Sequence, residues 1–198
     1  MPEAGVNAIA VAAQALATVG ALQAELRGRG RAQFAEVFPE APYTTLNFGT
    51  IQGGTASNMI AERCEFTVSY RPLPDEDPLA VYNEARARLL DPVPGDWGSE
   101  RTATLEVSEP LVVPGLLTPP GTALEAALRA ELGPGPLRGA PFCTDGGRFE
   151  AAGIRSLICG PGDLDQAHQP NESISQAAFA DGTRHILRVV ERLCGAGP

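Results

Sequence analysis

The run RCEFTVSYR, residues 63 to 71, alternates polar and apolar side chains without a break. Cys64, Phe66, Val68 and Tyr70 fall on one side, and Arg63, Glu65, Thr67, Ser69 and Arg71 on the other. Successive side chains of a strand point to opposite faces, so residues 59 to 71 are expected to form a strand with one face on a core and one in water. Half-buried strands of this kind belong to antiparallel pairs. The partner stands just before it. YTTLNFGTIQ, residues 43 to 52, sets Leu46 and Phe48 against Asn47 and Gly49, and Gly53-Gly54 turn the chain between the two.

Helical patterns flank this hairpin. Residues 5 to 28 are alanine-rich, with Ile9, Ala13, Leu16 and Gly20 along one face and Arg27, Arg29 and Arg31 where cations complement a helix end. Pro72-Leu73-Pro74-Asp75 ends the second strand, and Pro78 opens a helix running to about Leu90. Residues 101 to 108 alternate again, with Ala103, Leu105 and Val107 inward. The order helix, strand, strand, helix, strand fits a ferredoxin-like β-α-β-β-α-β unit lacking its first strand.

The proline-rich stretch 110 to 120 is the natural boundary, giving domains 1–110 and 111–198. The second is expected to read helix 121–132, a strand near 139–143, a short helix 147–152, a strand 154–159 and a helix 175–194. Strands alternating with helices imply a parallel α/β layer, too small here to stand without neighbours. The last helix sets Phe179, Ile186, Val190 and Leu193 on one face. The fold class is therefore α/β (α+β), with both halves incomplete. An unpaired sheet edge and an exposed apolar face are expected to drive association.

Charge narrows the partners. The 198 residues carry a formal charge of −9, and every one of the 15 basic residues is arginine, scattered rather than striped. Nucleic acid is an unsuitable partner for such a surface. No signal sequence opens the chain, and no apolar run approaches the roughly 20 residues of a membrane span, so a cytoplasmic protein is expected. The four cysteines form no C-x-x-C pair and are read as reduced thiols.

Of the two histidines, His168 follows the strand 154–159 in the loop GPGDLDQAHQP. An imidazole held at a strand's carboxyl end can serve as a metal ligand or a proton carrier, and a surface-loop histidine carries the same signature. His185, beside the apolar stripe of the last helix, is read as structural.

GVNAI (5–9), LNFGTIQGGTASNMI (46–60), YRPLP (70–74), TDGGRF (144–149) and GPGDLDQAHQPNE (160–172) together resemble the M20 metallopeptidase family, with the acetylornithine deacetylase branch nearest. The five stretches come in the family's order over nearly the whole chain. The resemblance implies a zinc-binding α/β domain interrupted by a ferredoxin-like lid that also forms a homodimer. It makes this chain the lid plus the returning part of the catalytic domain. The family's H-x-D ligands, bridging acid and Glu-Glu pair are expected before Met1, since neither motif occurs in these residues.

On the same resemblance, His168 is the last zinc ligand of a site holding two zinc ions, with cobalt or manganese as alternatives. Asn58 and Arg71 bind the carboxylate of a small N-acyl amino-acid substrate, for which arginine's planar fork is suited. Gly160 leaves its backbone N–H free near the substrate, and Thr144 and Asp145 orient that loop. Gly5 and Asn7 are assigned only to the helix start. Two functions follow: a portion of a zinc-dependent amidohydrolase that cleaves the N-acyl amide of an amino acid, or a non-catalytic dimerisation module derived from one. Neither membrane nor nucleic acid is expected as a partner.

Overall fold

The computed structural model describes residues 5–90, 103–140, 142–167 and 169–195. The chain divides into two compact units, one of Met1–Val112 with Arg138–Pro141, the other of Val113–Leu137 with Phe142–Pro198.

In the first unit, helix α1 (Ala8–Arg27) begins where Asn7 Oδ1 accepts the Ile9 amide at 2.9 Å. Asn7, assigned from the sequence to the helix start, is thus its cap. Strands β1 (Thr45–Gly53) and β2 (Cys64–Arg71) form one antiparallel pair. β2 starts at Cys64 rather than residue 59, because 56–59 close a turn through the Met59 amide and the Ala56 carbonyl. The alternation of β2 survives intact, half-buried and exposed by turns.

β1 is less regular, and its irregularity has a cause. Phe48 faces Val68 and Thr50 faces Thr67, which leaves Gly49 as the extra residue of a bulge. Skipping one residue keeps Ile51 on the side of Leu46 and Phe48, opposite Phe66, and keeps Thr50 and Gln52 on the polar side. Without the bulge, Ile51 would turn to the polar face.

Helix α2 (Ala80–Leu90) packs with α1 over the apolar face of this hairpin. Leu22 is 0% exposed, and Ala15, Val19 and Leu26 join it against Leu46, Val81 and Leu89. Full burial of a leucine such as Leu22 is worth about 2 kcal/mol. Gln23 Nε2 donates to the Leu46 carbonyl at 2.7 Å and pins the helix to β1. At the rim, Arg29 and Arg88 each bond both Glu25 and Glu84. Arg29 foremost, with Arg88, holds the Glu84 carboxyl down at about 2, against the opposing pull of burial.

The faces of α1 differ from expectation. The stripe Ile9, Ala13, Leu16 and Gly20 is not the core face; Ala12, Ala15, Val19, Leu22 and Leu26 are. The helix is apolar on both sides because no charge occurs from Ala8 to Ala24. By length and composition it would suffice for a membrane span, which corrects the expectation that no apolar run comes near one. Its buried side packs on β1, β2 and α2 as a core helix does.

Leu105 and Val107 also pack against this core, as their alternation suggested, but residues 103–108 join no ladder. Side-chain alternation suffices to seat two residues on a core, whereas a strand needs a bonded neighbour. The sheet among the described residues is therefore two-stranded. Residues 101 and 102 of that expected strand lie outside the description. Arg138–Pro141 return to this unit, where the Gly139 amide donates to the Val37 carbonyl at 3.0 Å.

The second unit is helical: α3 (Ala123–Leu132), α4 (Gly146–Ala151) and α5 (Gln176–Cys194). Thr122 Oγ1 caps α3 by accepting the Glu125 amide at 3.1 Å, while Glu125 reaches back to the Gly121 amide at 2.8 Å. Ser175 Oγ caps α5 by accepting the Ala178 amide at 3.1 Å. Residue 141 of the expected strand near 139–143 lies outside the described residues; the rest of that stretch, like 154–159, bonds to no neighbouring strand among them. Ile154 and Ile158 accordingly stay exposed. The motif TDGGRF has a packing explanation: a Cβ on Gly147 would overlap the Pro114 carbonyl, and one on Gly146 would press on Leu116.

Candidate functional site

Arg71 is the last residue of β2, opposite Thr45, on the exposed polar face of the hairpin. That face is a ladder of small polar pairs: Asn47 with Ser69, Thr50 with Thr67, Gln52 with Glu65. Thr50 and Thr67 hydrogen-bond at 2.9 Å, and Arg63 pairs with Glu65 at the far end. No hydrogen bond or ion pair engages Arg71 among the described residues, so its guanidinium is free to take an anion. Ten of the 15 arginines, by contrast, are ion-paired with carboxylates among the described residues: Arg29, Arg31, Arg63, Arg88, Arg129, Arg148, Arg155, Arg184, Arg188 and Arg192.

Asn58 lies in the loop that joins β1 to β2, exposed and without a side-chain partner among the described residues. The loop is anchored to the start of α1, where the Ala8 amide donates to the Ala61 carbonyl at 2.8 Å. Gly53 faces Cys64 at this end of the hairpin, whereas Thr45 faces Arg71 at the other. Eight residues of β2 at ~3.3 Å each put the two ends over 20 Å apart. Asn58 thus follows the Gly53 end of the hairpin, while Arg71 closes the other end of β2.

Gly160 belongs to the second unit. It is exposed, a Cβ there would meet nothing within 4 Å, and its φ is not among the positive ones. Neither crowding nor backbone geometry demands glycine at 160, unlike Gly162 two residues on, with φ of 111°. His168 lies outside the described residues. Thr144 and Asp145 have local roles: Thr144 Oγ1 accepts the Gly146 amide at 3.2 Å, and the Asp145 carbonyl accepts the Arg148 and Phe149 amides at the start of α4.

Among the described residues no cluster of three or more histidine, cysteine, aspartate and glutamate side chains stands close enough to hold a metal ion. Those residues do not by themselves make a metal centre. Two hollows occur in the first unit. The larger, of about 280 Å³, is apolar and is lined by Leu16, Phe48, Gly49, Thr50 and Ile51. The smaller, of about 190 Å³, has Glu76, Asp77 and Glu84 on its wall beside Arg29, a poor setting for another carboxylate. Neither is lined by Asn58 or Arg71.

One charged cluster was missed in the sequence. His185 Nδ1 stands 2.9 Å from Glu131 Oε1, Arg188 Nη1 donates to the same oxygen at 3.1 Å, and Arg192 Nη2 lies 3.6 Å from Oε2. The Glu131 side chain is only 4% accessible. The His185 hydrogen bond, with Arg188, holds its carboxyl below the ordinary range although burial opposes it. The structural role expected for His185 has a partner in the opposite helix. The signal was the spacing of His185, Arg188 and Arg192, which puts all three on one side of α5 facing α3.

Residues 1–96 match the peptidase dimerisation domain of the M20 family. The chain is 32% identical over 194 residues to the acetylornithine deacetylase of Proteus mirabilis (strain HI4320), which covers 98% of this chain and 47% of that protein. It is 33% identical to the acetylornithine deacetylase of Yersinia pestis, over 98% of this chain and 47% of the other. The corresponding values for the Salmonella arizonae protein are 33%, 98% and 48%. The chain thus spans about half the length of the curated relatives it matches.

Proposed function

Since this chain belongs to the M20 family, in its acetylornithine deacetylase-like branch, we propose that it is a portion of a metal-dependent amidohydrolase that cleaves the N-acyl amide of an amino acid. The observation that carries the reading is the likeness to deacetylases over 98% of the chain. The hairpin and its helices serve as the ferredoxin-like lid, residues 111–198 as part of the catalytic domain, and the working form is a cytoplasmic homodimer. Two zinc ions, or cobalt or manganese, supply the Lewis acid when the donor set is complete.

This chain's own contribution is recognition. Arg71, free at the end of β2, offers two parallel N–H donors to a substrate carboxylate. Asn58 adds an amide donor to substrate recognition from the loop that joins β1 to β2. Gly160 presents a backbone N–H unencumbered by a side chain. His168 is the single metal ligand proposed for this chain, too few for a catalytic centre, which uses at least three.

The alternative is a dimerisation module without catalysis, in keeping with the match of residues 1–96 to a dimerisation domain. Mixing this chain with the part of the Proteus mirabilis deacetylase that it does not match separates the two. On the hydrolase reading the mixture cleaves N-acetylornithine in a zinc-dependent way and this chain alone does not. His168→Ala then abolishes the gain, and Arg71→Ala raises KM about 10-fold to 100-fold through loss of a charged pair. A mixture that stays inactive, or activity indifferent to His168→Ala, leaves the non-catalytic module.

A further inference from the structure

The polar face of the hairpin is closed at one end and open at the other. Towards the Gly53 end, Thr50 and Thr67 satisfy each other and Glu65 is taken by Arg63. Towards the Arg71 end, Asn47 stands opposite Ser69, and Thr45 opposite Arg71. Asn47, Ser69 and Arg71 are exposed, and among the described residues no hydrogen bond or ion pair engages their side chains. An amide, a hydroxyl and a guanidinium thus lie side by side with their donors unspent. The four positions include no carboxylate and no apolar side chain.

We propose that Asn47 and Ser69 form a second subsite beside Arg71. It selects N-acyl amino acids whose side chain ends in a hydrogen-bonding group over those with an apolar end. Ser69 precedes Arg71 by two positions on the same face of β2, roughly 7 Å at ~3.3 Å per residue. An unbranched amino-acid side chain covers that span from its carboxylate. Asn47 faces Ser69 across the ladder at about 5 Å, so one chain end can meet both. Asn47 carries an NH₂ and a carbonyl oxygen and Ser69 a hydroxyl, so the pair both donates and accepts. An amine, amide or hydroxyl replaces the water that binding removes from them, whereas an apolar end leaves both unpaired. Sites that hydrogen-bond a substrate group reject the analogue lacking it for this reason. The inference deepens the recognition reading and rests on it only for the place of the carboxylate at Arg71.

The test is NMR titration of the isotope-labelled 198-residue chain with N-acetylornithine and with N-acetylnorvaline, which lacks only the terminal amine. Both ligands should shift the Arg71 signals. N-acetylornithine alone should shift the Asn47 side-chain amide, and it should bind about 10-fold more tightly. Ser69→Ala and Asn47→Ala should each cut that preference about 3-fold to 10-fold and leave the affinity for N-acetylnorvaline unchanged. A merely structural role would weaken both ligands alike, and circular dichroism checks that each variant is folded. Arg71 signals that respond to both ligands, with a preference indifferent to either substitution, would overturn the subsite and leave the carboxylate reading standing. An Asn47 response that survives Arg71→Ala with both affinities unchanged would sustain the subsite and overturn the carboxylate reading. No response from either residue would overturn both.

Discussion

α1 and α5 are nearly the same length, 20 and 19 residues, yet they are held in place by opposite means. α1 lays five apolar side chains on a hairpin and a second helix, and its charges are confined to the last turn. α5 buries Val189 alone and meets α3 largely through His185, Arg188 and Arg192 around one carboxylate. Its apolar stripe, Phe179, Ile186, Val190 and Leu193, points away and stays between 43% and 63% exposed. Oily sequence alone does not locate a core. What decides is whether a complementary face exists to receive it, and among the described residues the first unit has one where the second does not.

Four measurements would break or sharpen this contrast. Leu22→Ala should cost the first unit about 2–5 kcal/mol by urea unfolding, since it opens a cavity among fully packed neighbours. A loss below 1 kcal/mol would mean that α1 is not the keystone described here.

Acid should act next, and on the first unit. Glu84 is held at about 2 when folded against 4.5 when free. A lowered folded value means that its stabilisation is complete above 4.5 and is lost as pH falls from there through 2. The group is partly solvated, so the full linkage is discounted to about 1–2 kcal/mol. Wild type and Glu84→Gln should differ by that amount at pH 7 and converge near pH 2, as followed by thermal unfolding.

Ser175→Ala should weaken α5 by about 1 kcal/mol through loss of its cap, visible as faster amide exchange at residues 176–178. Smallest of all, Ile186→Ser should change the stability of the isolated chain by no more than about 0.5 kcal/mol, since the side chain it shortens already faces water. A large loss there would show that the α5 stripe is covered after all.

The parts legible in the sequence were those governed by local rules. The alternation of RCEFTVSYR gave β2 and its faces, and Gly53-Gly54 marked where β1 ends. Three features escaped for reasons of tertiary structure. The Gly49 bulge shifts β1 by one residue, a change that no count of period two contains. The wrong face of α1 was chosen because a helix without charges has no polar side to mark its outside. The extended stretches 103–108 and 154–159 have strand-like sequences but no bonded neighbour, and a ladder is a property of pairs. For the site, the alternation of β2 put Arg71 on the polar face, and the structure has it exposed at the end of that strand.

The crossing of Arg138–Pro141 back to the first unit bears on how the protein is made. A ribosome has joined the whole of Met1–Val112 before it reaches the Gly139 amide that bonds Val37. At about 5–20 residues per second, the missing segment follows one to several seconds later. Helix α1 and the hairpin can assemble during that interval, but the stretch around Val37 must wait. The first unit therefore closes in two stages set by translation, and a pause between codons 112 and 141 would lengthen the life of the half-closed form.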